Sequence, residues 1–151
     1  MFRFSQRSLS RLEGVDDRLI NVVTYAIEVT GVDFGVIEGL RTAERQKELV
    51  ESGASQTLKS KHIEGKAVDL LAYIGSRHSW ELNFYDDIAE AMKKGAIEYD
   101  VPLRWGAAWH CPDIRQFEGT MEECATEYID LRRSQGRRPF IDAPHFEIND
   151  V

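Results

Sequence analysis

Apolar residues recur at helical spacing early in the chain, and the pattern predicts a helix over residues 17–30 that Gly31 ends. Its apolar face consists of Leu19, Val22, Val23, Ala26 and Ile27. Residues 34–38 form a short run rich in β-forming side chains, which predicts a strand. Thr42 is a typical N-cap residue, so a second helix is expected from there to about Val50. The order in this part of the chain is therefore helix, strand, helix.

The middle of the chain continues with a strand and a long helix. Residues 67–73 are almost uniformly apolar, which is typical of a buried strand. Residues 83–98 return to helical spacing. The side chains expected to be buried by this helix are Phe84, Ile88, Ala91 and Met92. Residues 103–105 are expected to add a short strand.

The last third carries one more helix and a closing strand. Thr120 and Glu123 have the spacing of a capping box, which predicts a helix that starts there and ends near Gly136. Cys124 and Tyr128 would face inward from this helix. The strand is expected after Phe140 and Pro144, where apolar Phe146 and Ile148 alternate with polar Glu147 and Asn149. Helices flanking a small, mostly antiparallel sheet make an α+β fold.

Composition narrows the class of protein. The 151 residues contain 19 Lys and Arg against 26 Asp and Glu, a net charge of −7, which argues against a nucleic-acid binder. Without repeats or linker-like segments, residues 1–151 are expected to form one domain with no separate cell-wall-binding module. Neither a secretory signal nor an apolar run of roughly 20 residues is present, so we expect cytosolic synthesis and no integral membrane segment. Cys111 and Cys124 form no CxxC pair and are expected to be free thiols.

Two distant segments carry the side chains with chemical potential. His62 in a polar loop precedes Asp69 in the apolar strand by seven residues. A carboxylate flanked by apolar residues is costly to bury unless it is paired, hydrogen-bonded or bound to a metal, so Asp69 requires a partner. Near the end of the chain, Asp142 precedes His145 by three residues. The two segments together offer two imidazoles and two carboxylates.

These residue types fit a catalytic zinc site. Catalytic zinc takes three protein ligands and leaves one position for water, and His62, Asp69 and His145 would supply the three. Hydrolysis also needs a base that is not itself a ligand, a role that Asp142 fits. In the alternative interpretation the two histidines are ordinary polar residues and Asp69 pairs with a Lys or Arg. The spacing alone does not decide between them.

The motifs resemble a known group of enzymes. The pattern Ser60-x-His62-x-x-Gly65-x-Ala67-x-Asp69, followed by Asp142-x-x-His145, resembles the signature of the LAS-type zinc peptidases. That group includes D-alanyl-D-alanine carboxypeptidases and dipeptidases and phage peptidoglycan endopeptidases. The run Glu38-Gly39-Leu40-Arg41-Thr42 with Gln46, and Trp105-Gly106-x-x-Trp109, more specifically resemble the phage L-alanyl-D-glutamate endopeptidases, or endolysins.

The resemblance implies a LAS-type fold and roles for single residues. His62, Asp69 and His145 would hold one Zn2+, and Asp142 would be the general base. Arg41 would contact the substrate and stabilise carboxylate or carbonyl oxygen, and Ser60 would hydrogen-bond the peptide backbone. Trp109 is a further candidate for substrate binding, on its residue type. Two features depart from the family pattern. Relatives often have Trp-Gly-Gly-Asp-Trp where this chain has Trp105-Gly106-Ala107-Ala108-Trp109. In addition, residues 110–139 separate that segment from the Asp142 motif.

The implied function is a zinc-dependent endopeptidase that hydrolyses the L-Ala–D-Glu bond of peptidoglycan stem peptides, as a phage endolysin that lyses the host. Such a protein, expected to be a monomer, would accumulate in the host cytoplasm and reach the wall through the periplasm once a holin-type protein permeabilises the membrane. One alternative is a D-alanyl-D-alanine carboxypeptidase or dipeptidase, which would need a closed pocket for the terminal carboxylate. The other is a noncatalytic zinc-binding module, which would have no need for a base such as Asp142.

Several residues keep two interpretations. Arg41 could instead be a structural residue paired with Glu38 or Glu44. Trp105 and Trp109 could belong to the core or stack on substrate. The only basic cluster is expected to be a solvated helix end, with contact to the anionic wall polymer as the alternative; its members are Arg132, Arg133, Arg137 and Arg138. A second metal site is disfavoured, because three ligands without CxxC spacing do not make a structural zinc site; its candidates are His110, Cys111 and Cys124.

Overall fold

The computed structural model describes residues 1–55 and 60–150. Within them the elements in chain order are α1 (Gln6–Arg11), α2 (Asp17–Val29), β1 (Asp33–Glu38), α3 (Ala43–Glu51), β2 (Ala67–Ile74), β3 (Arg77–Ser79), α4 (Leu82–Glu98), β4 (Leu103–Trp105), a 3-10 turn (Ile114–Gln116), α5 (Met121–Ser134) and β5 (His145–Ile148). None of the helices in this described part is long and apolar enough to cross a membrane.

The sheet is antiparallel throughout its described strands. Its order is β1-β2-β5-β4, and β3 forms a short hairpin with β2. The strand that closes the chain, β5, thus lies inside the sheet, between β2 and β4. In this register Asp69 of β2 lies directly opposite His145 of β5. The α+β fold with a small antiparallel sheet is confirmed.

The core lies where α2 and α4 pack on each other and on the sheet. The five apolar positions that predicted α2 are all buried there. Gly95 allows α4 to approach α2 closely, since a Cβ at this position would lie 2.7 Å from the carbonyl oxygen of Val22. The N-caps were read correctly from the sequence: Thr42 caps α3, and Thr120 with Glu123 forms the capping box of α5.

Three features differ from the sequence expectation. Helix α1 and strand β3 were not predicted, because α1 is short and β3 lies in a polar stretch that joins the sheet only by pairing with β2. In α4 the fully buried aromatic is Tyr85, whose hydroxyl donates to the Ser79 carbonyl at 2.9 Å, whereas Phe84 is half-buried at the edge of the core. These differences leave the position of the site unchanged.

Candidate metal centre and active-site cleft

Three side chains from three segments converge at one point beside the sheet. Asp69 and His145 face each other across β2 and β5, with 3.2 Å between Asp69 Oδ1 and His145 Nδ1. His62 comes from the loop before β2, and its Nε2 lies 3.2 Å from the same Asp69 oxygen. One ligand atom from each residue lies within 4.8 Å of the others, and among the described residues this is the one such group that could hold a metal ion.

The backbone fixes the orientation of His62. Its Nδ1 lies 2.8 Å from the Gly39 carbonyl oxygen, which accepts the ring proton, and the Arg41 backbone N–H donates to the His62 carbonyl at 2.9 Å. Only glycine fits at position 39, because a Cβ there would lie 2.3 Å from the Arg11 carbonyl oxygen. The ring is 1% exposed, and Nε2 is buried without a hydrogen-bond partner among the described residues. His62 thus presents Nε2 toward Asp69.

A second carboxylate orients His145. Glu147 follows on the same face of β5, and its Oε1 lies 2.8 Å from His145 Nε2. With Nε2–H directed to Glu147, Nδ1 is the nitrogen that faces Asp69, an arrangement typical of histidines that ligate metals. The alternation along the closing strand predicts Glu147 on its polar side but indicates no role for this residue. The signal was available in the two-residue period, which puts positions 145 and 147 on one face.

Electrostatics keep a negative charge at the centre of this group. Burial opposes ionisation of Asp69, but its interactions with His145 and His62 outweigh that effect and hold its pKa well below the usual range. Burial also opposes a charge on His145, yet hydrogen bonds with Asp69 and Glu147 raise its pKa to about 10. The protein alone therefore supplies a proton on His145 as the positive partner of Asp69, a place that a divalent cation can take.

The donor set fits zinc. Two imidazole nitrogens and one carboxylate oxygen are the ligand types of catalytic zinc sites. Tetrahedral zinc with bonds of about 2.0–2.1 Å separates its ligand atoms by roughly 3.4 Å. The two separations of 3.2 Å around Asp69 Oδ1 are close to that value, and all three ligand atoms lie within 4.8 Å of one another. An ion bound here would give the Nε2 of His62 the partner that it lacks among the described residues.

Asp142 lies next to this group and is held by the Trp105-Gly106 segment. Gly106 accepts a hydrogen bond from the Asp142 backbone N–H and donates one to the His145 carbonyl, both at 2.8 Å. A Cβ on Gly106 would lie 2.1 Å from the Asp142 carbonyl oxygen. Burial, and then the negative charge of Asp69, raise the pKa of Asp142 above its ordinary value. The Trp105 indole is fully buried and donates to the Ala143 carbonyl at 2.7 Å, so this residue belongs to the core.

Arg41 is buried, and nearly all N–H groups of its guanidinium donate hydrogen bonds within the protein. Its guanidinium donates two hydrogen bonds to Glu38, at 2.6 and 2.7 Å, one to Gln46 at 2.6 Å and one to Asp69 at 3.3 Å. A guanidinium has five N–H groups, so one hydrogen on Nη1 has no partner among these residues. The pairing with Glu38 considered from the sequence is therefore present, and so is the pairing of Asp69 with an arginine. Arg41 still lines the cleft.

The cleft around the metal group has a volume of about 480 Å³. Ser60 and Trp109 line it together with the metal group, Asp142 and Arg41, so the structure brings all the site residues expected from the sequence into one cavity. Ser60 Oγ accepts a hydrogen bond from the His62 backbone N–H at 3.2 Å. The ring of Trp109 lies 5.5 Å from that of His145 and stacks on Phe140. Residues 56–59 lie outside the described part of the chain.

The remaining candidates lie outside the cleft. His110 Nε2 interacts with Glu127 Oε1 at 3.0 Å. Cys111 is partly buried and Cys124 fully buried, and both are free cysteines. His78 is exposed on β3. The basic cluster covers the last turn of α5 and the residues after it, where three of its four arginines are exposed and Arg132 is partly buried.

Comparisons with known proteins agree on one family. The family model described as phage L-alanyl-D-glutamate peptidase matches residues 1–131, a range that includes Arg41, Ser60, His62 and Asp69. The L-alanyl-D-glutamate peptidase of Escherichia phage T5 is 31% identical over 113 residues, which cover 72% of this chain and 82% of that protein. The L-alanyl-D-glutamate peptidase of Listeria phage A118 is 33% identical over 82 residues, which cover 54% of this chain and 28% of that protein.

A solved structure extends the likeness beyond the range of the family model. The crystal structure of the Serratia marcescens L-Ala D-Glu endopeptidase ChiX superimposes with a TM-score of 0.72 at 33% sequence identity. The match covers 97% of this chain and 90% of that one. With the family model, the curated relatives and this fold in agreement, the chain belongs to the family of phage L-alanyl-D-glutamate peptidases.

Proposed function

We propose that this protein is an endopeptidase that hydrolyses the L-Ala–D-Glu bond of peptidoglycan stem peptides with one zinc ion held by His62, Asp69 and His145. The observation that carries the zinc assignment is the convergence of these three ligand atoms within 4.8 Å in the cleft that also contains Asp142. The assignment of the L-Ala–D-Glu bond, and of peptidoglycan as the polymer, rests on membership of the peptidase family. Residues 1–151 are proposed to act as one catalytic domain and as a monomer.

When bound, zinc supplies Lewis-acid polarisation of the scissile carbonyl and of the attacking water. The chain itself supplies the proton transfer. We assign this proton transfer to Asp142, whose carboxylate accepts one proton of the water as the water oxygen attacks the carbonyl carbon of alanine. The same carboxyl group then donates that proton to the departing amine of D-glutamate. A raised pKa suits this double role, because a group that must take and return a proton works best with a pKa nearer the operating pH.

The other residues of the cleft are assigned to substrate binding. The remaining N–H of Arg41 is proposed to donate to a carbonyl or carboxylate oxygen of the substrate, from a guanidinium that Glu38 and Gln46 hold in place. Ser60 is proposed to hydrogen-bond the peptide backbone, and Trp109 to cover one side of the bound peptide. Because the Arg41 guanidinium already has several fixed partners, it loses little conformational freedom when the substrate binds.

The test is product analysis by mass spectrometry of purified Gram-negative peptidoglycan. The zinc-loaded protein should release peptides with a new N-terminal D-glutamate, a chelator should abolish the release, and added zinc should restore it. Release of only D-alanine or its dipeptide would assign the protein to the carboxypeptidase branch. A lack of release with zinc still bound would favour a noncatalytic zinc-binding module.

The route to the substrate is part of the proposal. The wall lies outside the membrane that encloses the host cytoplasm, so a phage enzyme made in the host has to cross that membrane before it can act. We propose that it accumulates in the cytoplasm and acts in the periplasm after a holin-type protein has permeabilised the membrane. Expression alone should then leave cells intact, and permeabilising the membrane should cause lysis at once. Lysis by expression alone would contradict this route.

A further inference from the structure

A second pocket of about 430 Å³ lies directly behind the wall of the active-site cleft, between β4 and the end of α5. We call it the arginine pocket, and its lining residues are Arg104, Trp109, His110, Tyr128, Leu131, Arg132, Gln135 and Phe140. Trp109 and Phe140 line both this pocket and the cleft. The two cavities therefore share this pair of stacked rings, whose centroids are 6.5 Å apart.

The arginine pocket collects polar groups that lack partners. In the described part of the chain, six buried side-chain nitrogen or oxygen atoms have no hydrogen-bond partner, and four of them belong to residues that line this pocket. These four are Arg104 Nε, Trp109 Nε1, His110 Nδ1 and Arg132 Nε. Guanidinium and indole nitrogens can only donate, so three of the four require an acceptor. Because buried donors are rarely left unsatisfied, acceptor oxygens of a ligand would find suitable donors in this pocket.

The charge of the pocket indicates that this ligand is an anion. Two guanidinium groups line the pocket and no carboxylate does, in a chain whose net charge is −7. The carboxylate that contacts a lining residue, Glu127, interacts with His110 Nε2 and is 58% exposed, outside the pocket. Arg104 also lies over the face of Trp109, with 5.2 Å between its Cζ and the ring centroid, and donates to the Trp109 carbonyl. Planar guanidinium groups on aromatic walls are well suited to carboxylates.

The substrate offers such an anion next to the scissile bond. A glutamate residue has two carboxyl groups, and a peptide that continues through one of them leaves the other free and charged. Trp109 is 5.5 Å from the ring of His145, a distance that about two extended residues span. We infer that the arginine pocket binds a free carboxylate of the stem peptide within about two residues of the scissile bond. The inference rests on the proposed function, since it takes the stem peptide as the substrate.

The experiment compares two peptides and two matched arginine variants. The peptides are a synthetic stem peptide containing the L-Ala–D-Glu bond, with free carboxylates, and the same peptide with every carboxylate converted to the amide. Arg132→Gln removes one of the two guanidinium groups of the pocket. Arg133→Gln removes the same charge from the exposed neighbouring position on α5. Binding is measured by calorimetry on zinc-loaded protein that also carries Asp142→Asn, so that the peptide is not consumed.

We expect Arg132→Gln to weaken binding of the carboxylate peptide about tenfold, the effect of losing one charged hydrogen bond. Arg133→Gln should change binding by less than about twofold, and neither variant should affect the amide peptide. In protein that keeps Asp142, Arg132→Gln should raise KM about tenfold and leave kcat unchanged. Arg132→Lys, which keeps the charge but loses the planar group, should give an intermediate effect.

Equal binding of the carboxylate peptide to the Arg132→Gln and Arg133→Gln proteins would overturn the inference. An equal loss with both peptides would overturn it as well, because it would indicate a structural role for Arg132. The proposed function fails by a different result, namely no cleavage of either peptide by the unaltered zinc-loaded protein. The two failures are therefore separable, since the binding measurement does not depend on cleavage.

Discussion

Replacing Gly106 by alanine tests whether the backbone of the Trp105-Gly106 segment positions Asp142, the proposed catalytic base. Gly106 is hydrogen-bonded on both sides, to Asp142 through its carbonyl and to His145 through its N–H. The added methyl group would lie 2.1 Å from the Asp142 carbonyl oxygen. That neighbour is backbone and has no rotamer into which it can withdraw, so residues 142 and 106 have to move apart.

The size of the movement follows from the geometry. Ordinary contacts of this kind begin near 3.4 Å, so the separation must grow by about 1 Å. A displacement of about 1 Å at a catalytic group can lower the rate by roughly 100-fold. The strain of one extra methyl group in a packed site costs about 1–3 kcal/mol of folding stability, which a domain of this size can tolerate. We therefore expect a folded protein with kcat reduced roughly 100-fold.

The assay is release of peptides with N-terminal D-glutamate from peptidoglycan, with thermal unfolding measured in parallel. Gly31→Ala is the matched control, because no atom lies within 4 Å of the Cβ it would add. It should keep both the activity and the unfolding temperature close to those of the unaltered protein. If Gly106→Ala retained kcat within about twofold while folded, the argument that this contact sets the position of Asp142 would be refuted.

Four further outcomes are expected. Asp142→Asn should lower kcat by about 10²–10⁴-fold while the zinc content of the purified protein is unchanged; a loss of zinc would show that Asp142 is a ligand. Glu147→Gln should weaken zinc binding about 10–100-fold in a chelator competition, because His145 loses its charged partner; unchanged affinity would exclude this role. The acidic limb of the pH profile of kcat should lie above the range of an ordinary aspartate, since the pKa of Asp142 is raised and activity is lost as pH falls through that pKa; a limb at the ordinary position would contradict this. Burial, and then the negative charges of Glu122 and other nearby carboxylates, raise the pKa of Asp86 to about 6, so ionisation of Asp86 costs folding stability as pH rises from about 4 to 6. Asp86→Asn should therefore stabilise the protein by about 1–2 kcal/mol at pH 7 and by little at pH 4. Equal effects of the substitution on urea unfolding at the two pH values would contradict this assignment.

The sequence predicted those parts of the fold that depend on neighbours along the chain. The apolar period identified α2, and the N-cap at Thr42 and the capping box at Thr120 gave the starts of α3 and α5 within one residue. Each of these signals involves residues within one or two helical turns. Strand β3 lacked such a signal, because its polar side chains form a strand only by hydrogen bonding to β2.

The site follows the same division. The residue types at positions 62, 69, 142 and 145 indicated a metal site, and the structure places them together. The partners of these residues were not predictable from spacing. That Gly39 accepts the proton of His62, or that Arg41 also contacts Asp69, depends on segments that meet only in the folded protein. The arginine pocket likewise forms from two segments that carry no shared motif.

The pairing of Asp69 with His145 also has a consequence for chain entropy. These residues are 76 positions apart in the sequence, and an ion bound by both closes that stretch into a loop. A cross-link around a loop of this length lowers the conformational entropy of the unfolded chain by an amount worth about 4–5 kcal/mol at 25 °C in the simplest chain model. A bound ion would therefore act as a removable cross-link around the half of the chain between Asp69 and His145. The supply of metal would then set how long the enzyme survives proteases as well as how fast it cuts.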